Sequence, residues 1–211
     1  MNLSQLRSRL RQDLHDQDAA AYRWTDAVLD RHSARALSQL SLAVPRQATA
    51  DLLTSGTNRD LSLASLTDLV SVEAVEYPAG RFPVSYARFS TWGQALTLLI
   101  PEVPPAAQSV RVYYGRLHTL DEAGSTVAAS SEELLATGAA AYAALEWANY
   151  AINRQNTGGA DVWLHYFTWG QDRLAAFVKG LDLQAERNRA RARQLYRPAT
   201  EPVARGADAG P

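Results

Sequence analysis

The residues with the most pronounced chemistry lie towards the C-terminal end. Arg187, Arg189, Arg191, Arg193 and Arg197 follow Leu183 with no acidic residue among them, and Tyr196 stands beside the last. Guanidinium groups form paired, charge-assisted hydrogen bonds with carboxylates and phosphates, so the run suits an acidic protein surface or a nucleic-acid backbone. The alternative is a solvated helix extension that ends in a disordered tail. The kind of cation does not choose between them, because every basic residue except Lys179 is an arginine.

The other chemistry-bearing residues do not converge. His15, His32, His118 and His165 fall on different predicted elements, with no HExxH pair and no glycine-rich phosphate cradle. His32 sits between Leu29 and Ala36 on a predicted helix, where packing is its ordinary role. The adjacent pairs Asp121-Glu122 and Glu132-Glu133 stand at or before a helix start, where they favour the helix dipole. No GxSxG elbow or Ser-His-Asp order is present. Tyr113 and Tyr114 between Arg111 and Arg116 could stack nucleic-acid bases, but alternation on a strand turns one of them into the core. No residue is therefore assigned to catalysis, to a cofactor or to a metal.

Composition narrows the classes further. The 211 residues carry 21 basic and 22 acidic side chains, a formal net charge of -1, which argues against a surface built wholly for nucleic acid or anionic lipid. The chain has no cysteine, so disulfides, thiolate nucleophiles and zinc–thiolate sites are excluded. The N-terminal stretch alternates leucines with charges, unlike a secretory signal. The longest apolar region, 139–148, is broken by Glu146 and falls short of the roughly 20 residues that cross a bilayer.

Periodicity supplies the elements. Leu3, Leu6, Leu10 and Leu14 share one face of a helix over 2–16. A second helix over 25–44 opens on a Thr25 cap, with Trp24 able to staple onto Leu29, and stops at Pro45. From 47 to about 117 the period is two: Leu61/Leu63, Val70/Val72, Val84/Tyr86, Leu96/Leu98/Ile100 and Val110/Val112/Tyr114 predict short antiparallel strands. Helical spacing returns over 131–153, with Ser130 and Glu133 as a capping box, and over 160–182, the two forming an αα-hairpin. The alanine-rich stretch 138–144 predicts a thin central helix approached from several sides. The fold class is α+β: a bundle of two N-terminal helices and a C-terminal αα-hairpin, an inserted small antiparallel sheet, and an extended arm. Residues 1–183 form the body and 184–211 the basic arm and tail.

This layout resembles that of the head-to-tail adaptor, or connector, proteins of tailed bacteriophages. The phrases that carry the likeness are LRSRLRQDLHD, YRWTDAVLDRHSARAL, LSLASLTDLVSVEAVEYP, RVYYGRLHTL and the hairpin TGAAAYAALEWANYAINRQNTGGADVWLHYFTWGQDRLAAF, together covering about residues 1–183. The resemblance implies a non-enzymatic virion protein of the neck between capsid and tail. It forms a ring of itself, usually of twelve subunits, under the portal protein. The ring extends the DNA channel, passes DNA without specific recognition, and receives the tail or head-completion proteins. It needs no cofactor and touches no membrane. In that setting Arg187, Arg189, Arg191, Arg193, Tyr196 and Arg197 form the portal-binding arm. Trp92, Tyr113, Trp163 and Trp169 are the expected subunit or tail contacts, since aromatic residues are enriched at interface centres. Two rivals remain, a cellular nucleic-acid-binding module that uses the arginine arm and a small hydrolase with an unrecognised pocket.

Overall fold

Two helices, six strands and two further helices follow one another along the chain in a computed structural model that describes residues 1–152, 154, 159 and 161–195. Helices α1 (Leu3–Asp13) and α2 (Asp26–Ala43) precede strands β1 (Arg46–Leu53), β2 (Asp60–Ser62), β3 (Leu69–Glu76), β4 (Phe89–Trp92), β5 (Ala95–Leu98) and β6 (Ser109–Arg116). Helices α3 (Ala129–Ala151) and α4 (Val162–Leu195) complete the mixed α+β fold. Contacts divide the chain into a helical unit, Met1–Arg46 with Leu117–Glu186, and a strand unit, Gln47–Arg116 with the segment from Arg187.

The helical unit is built around α3. From Gly138 to Ala144 every residue of this helix is buried, with Tyr142 as the one large side chain, so neighbouring elements reach its backbone from more than one side. Gly138 faces the Phe177 ring of α4, and a β-carbon placed on it would lie 2.7 Å from that ring. Gly170 and Gly180 of α4 accept Leu145 and Leu134 of α3 in the same manner. On another face the Tyr142 hydroxyl donates to Gln39 of α2 at 2.7 Å, with Arg35 over the ring at 4.0 Å. Trp24, Trp147 and Tyr166 form an aromatic cluster, and the Trp24 indole N–H donates to the Ala143 carbonyl at 3.1 Å.

Helix ends show where local signals held and where they failed. The Thr25 hydroxyl caps α2 by accepting the Val28 N–H at 3.4 Å, and Trp24 and Leu29 lie in one core cluster. The Ser130 capping box does not form. α3 begins at Ala129 after an uncapped Ala128, so Ser130 already lies inside the first turn, while Glu133 is drawn to Arg9. The last helix runs 13 residues beyond the expected end at 182, to Leu195. Residues 184–195 are mostly Ala, Arg, Gln and Glu, which keep helix propensity although they carry no apolar stripe.

Between α1 and α2 the chain is fastened by a buried ion pair. Arg11 donates to Asp16 at 2.8 Å, to Asp26 at 2.6 Å and to the Trp24 carbonyl at 3.1 Å. Asp16 also accepts the Arg23 and Trp24 backbone N–H groups, so its charge is fully satisfied without water. His32 of α2 is buried beside Glu146 of α3, 3.2 Å away, with Arg31 and Arg35 near it. Burial holds the imidazole below its ordinary value of 6.5, against the opposing pull of Glu146.

The strand unit holds two three-stranded sheets where one was expected, with orders β1-β6-β3 and β2-β5-β4. Leu61, Leu96 and Leu98 from one sheet and Val75, Val110, Val112 and Tyr114 from the other share a core. The strand expected around Val84 and Tyr86 is absent. Pro83 lacks a backbone donor, and residues 81–88 form a loop that meets β3 through a single bridge, Tyr86 to Glu76.

Two outcomes follow from the helical unit. Gly138→Ala gains about 1 kcal/mol of helix propensity but must displace the enclosed Phe177 ring, so a net loss of about 1–2 kcal/mol is expected in urea unfolding; an unchanged midpoint would show that the ring yields freely. For His32 the folded state resists protonation, so the unfolded state takes the proton first as pH falls. Its share of stability is constant above about pH 7 and declines below the ordinary histidine range, by at most about 1.4 kcal/mol per pH unit. Unfolding at pH 7.5 and 5.5 should show a decline that His32→Gln reduces.

Candidate interaction surfaces

The arginine run begins as part of α4. Arg187 and Arg189 are exposed. Arg191 is held: its Nη2 donates to both carboxylate oxygens of Glu73 on β3, at 2.9 and 2.8 Å, and to Asn188 Oδ1 at 2.9 Å. Gln47, with its amide oxygen turned to the guanidinium, accepts from Arg191 Nε at 2.9 Å. The Glu73 side chain is only 8% exposed, so this contact pairs a carboxylate that would otherwise be sheltered from water. Arg193 lies in α4, but its side chain, like Tyr196 and Arg197, falls outside the described residues.

The four aromatics expected at interfaces take different places. Trp92 stands at the β4–β5 turn, beside Gly93 at φ +57°, and is 90% exposed. Tyr113 is half-buried, and its hydroxyl donates to Glu76 at 2.9 Å. Burial first, and Glu76 second, push this phenol above its usual value. Trp163 is half-buried near the start of α4. Trp169 packs on the helical core with Arg173 over its ring at 4.8 Å. Trp92 is thus the one among the four that is mostly free.

Sequence reasoning missed the most exposed large hydrophobic side chain described, Phe82 at 98%. Its signal was an aromatic inside the turn-rich phrase Pro78-Ala79-Gly80-Arg81-Phe82-Pro83, where no strand or helix could bury it. It also missed that α4 leaves Leu164, Phe167 and Val178 exposed along one side, and Leu183 on another. The apolar residues of this helix were read as one stripe, whereas its surface carries apolar side chains on two.

Ionisable groups meet in one shallow place that spacing could not reveal. A cleft of about 340 Å³ is lined by Asp13, His15, His165, Tyr166 and Trp169. His15 follows α1 at φ +52°, in the left-handed conformation that often ends a helix, with Asp16 N–H bonded to the Arg11 carbonyl at 2.8 Å. The Tyr166 hydroxyl donates to the Leu14 carbonyl at 3.2 Å, which brings together residues 152 positions apart in the chain. His118 is structural, with Nε2 at 2.9 Å from the Val44 carbonyl and Nδ1 at 3.0 Å from that of Thr126. Among the described residues no three His, Asp or Glu side chains are grouped to hold a metal ion, and no helix is long and apolar enough to cross a membrane.

No family model matches this chain, and no curated protein matches it. Among solved structures it is similar to a chain from the neck of an empty GTA particle computed with C6 symmetry. The match has 13% sequence identity and a TM-score of 0.31, and covers 80% of this chain and 88% of that one.

Proposed function

We propose that this chain is a non-enzymatic structural protein of a phage-like neck. It is an adaptor that joins copies of itself in a ring under the portal, extends the DNA channel, and offers a docking surface to the tail or to completion proteins. The observation that carries the reading is the outer face of α4. On a helix of 34 residues, about 50 Å long, Leu164, Phe167 and Val178 stand exposed on one side, within about 60° of one another about the axis. Large apolar side chains that share one side of an exposed helix offer a surface for another protein to cover. The order of helices and strands agrees with the adaptor layout that the sequence phrases resemble.

In this reading the arm has a fixed root. Arg191 anchors the last turns of α4 to Glu73, while Arg187 and Arg189, with Arg193, Tyr196 and Arg197 beyond, meet acidic groups of the portal. Many weak arm contacts add up when a ring of copies engages one portal at once. DNA passes along the channel without base readout.

Two outcomes test it. The full chain mixed with its portal should give rings on the portal by negative-stain imaging, and Phe167→Asp with Val178→Asp should abolish them while circular dichroism is unchanged. Deletion of residues 196–211 should leave the melting temperature within about 2 °C, since the Arg191 anchor is retained, and weaken portal binding by tenfold or more. A chain that ignores the portal yet binds nucleic acid with steep salt dependence, lost on the same deletion, would overturn the adaptor role.

A further inference from the structure

The strand unit carries a projecting aromatic and a cleft of complementary chemistry. Between β3 and β4 the chain leaves one sheet, extends and enters the other, and the base of this loop is fixed on both sides. The Tyr77 N–H donates to the Ser85 carbonyl at 2.9 Å, and the Ala87 N–H to that of Val75 at 2.8 Å. The Gly80 N–H donates to Glu76 at 2.6 Å, and Glu76, 2% exposed, is itself held by the Tyr113 hydroxyl. Phe82 stands 98% exposed on this braced loop, and its neighbour Arg81 is exposed with no partner among the described residues. A benzyl group held in water by a fixed loop forgoes about 2 kcal/mol that burial would return.

The cleft, of about 280 Å³, is lined by Tyr77, Ile100 and the segment Pro101–Pro105. Its walls are also fixed. Arg59 donates to the Ile100 carbonyl at 2.9 Å and to that of Pro101 at 2.6 Å, the Thr54 hydroxyl binds the Pro105 carbonyl, and the Tyr77 hydroxyl donates to Gln108 at 2.7 Å. Proline and aliphatic walls suit an aromatic ring. Glu102, in the same segment, is exposed and has no ion-pair partner among the described residues.

We propose that Phe82 of one copy enters the Tyr77–Pro105 cleft of a second copy, with Arg81 pairing to Glu102 of that copy. A second copy is the occupant because this chain carries both halves of the contact, an aromatic with a cation and an apolar cleft with a carboxylate. The exposure of Phe82 shows that the ring does not fill its own cleft. A projection that meets a different surface of its neighbour makes a heterologous contact, which repeats from copy to copy and closes into a ring when the rotation allows. The inference rests on the self-assembly in the adaptor reading and assigns residues to it.

The chain has no cysteine, so two single variants give a clean test. Phe82→Cys and Val103→Cys chains are mixed with wild-type portal present and treated with a short bis-maleimide. The mixture should yield covalent dimers that neither variant yields alone, and the double variant a ladder of higher multimers. In parallel, Phe82→Ala should weaken self-association by about 10–100-fold with an unchanged melting temperature. Arg81→Glu should weaken it similarly, and Arg81→Glu combined with Glu102→Arg should restore it. Rings that form on the portal without the mixed cross-link, and that tolerate Phe82→Ala, would overturn this contact and leave the adaptor reading standing. Failure of the wild-type chain to form rings or multimers would overturn both.

Discussion

The close approach of α3 and α4 is the constraint on which the helical unit depends. Helix axes come this near only where one side supplies almost no side chain, and here glycines alternate between partners: Gly138 under Phe177, Gly170 under Leu145 and Gly180 under Leu134. Each glycine sacrifices up to about 1 kcal/mol of helix propensity, so the loss is tolerated only because a large side chain fills the space. The remaining faces of α3 are then free for α2 and for the Trp24–Trp147–Tyr166 cluster. A consequence reaches the surface. With Phe177 and Leu174 turned inward, Leu164, Phe167 and Val178 have no room inside and remain in solvent.

In the strand unit, buried carboxylates do the positioning that small residues do among the helices. Glu76 is enclosed, and its two oxygens are divided between the Gly80 N–H and the Tyr113 hydroxyl, with Arg111 3.7 Å away. Arg111 in turn grips Asp51 of β1 at 2.8 Å, which lowers that carboxyl below its usual range. One chain of charge-assisted bonds thus links β1, β6 and β3 and fixes the start of the loop that carries Phe82. Removing one member of such a network leaves another unpaired, so the loop's geometry is bound to the sheet's integrity.

What was legible in the sequence follows from what each signal measures. Alternation measures burial, and it found Leu61/Leu63, Leu96/Leu98 and Val110/Val112 because those residues reach the shared core. It misplaced Val84/Tyr86 because Pro83 breaks the ladder there, a backbone effect that side-chain alternation does not register. Alanine density marked α3 as central, since only a helix enclosed on several sides has use for so little side-chain volume. The end of α4 was missed for the opposite reason: residues 184–191 are at most half-buried, and this part of the helix is kept by propensity and by the Arg191–Glu73 anchor, which joins residues 118 positions apart. The cleft at His15 and His165 and the cleft of Tyr77 with the Pro101–Pro105 segment arise from folding and leave no local pattern.

The distribution of arginines joins these strands of argument. A near-neutral chain can satisfy many of its guanidinium groups internally: Arg7 bridges Asp30 and Glu122, Arg11 bridges Asp16 and Asp26, and Arg31, Arg111, Arg116 and Arg191 each hold a carboxylate. Arg81, Arg187 and Arg189 are exposed and, like Arg46 and Arg88, form no ion pair among the described residues. Arg81 sits beside the most exposed aromatic described, and Arg187 and Arg189 sit at the root of the basic end. Both positions couple a free cation to a segment that the rest of the fold holds in place, so a partner that binds there loses little to ordering and gains from the pairing.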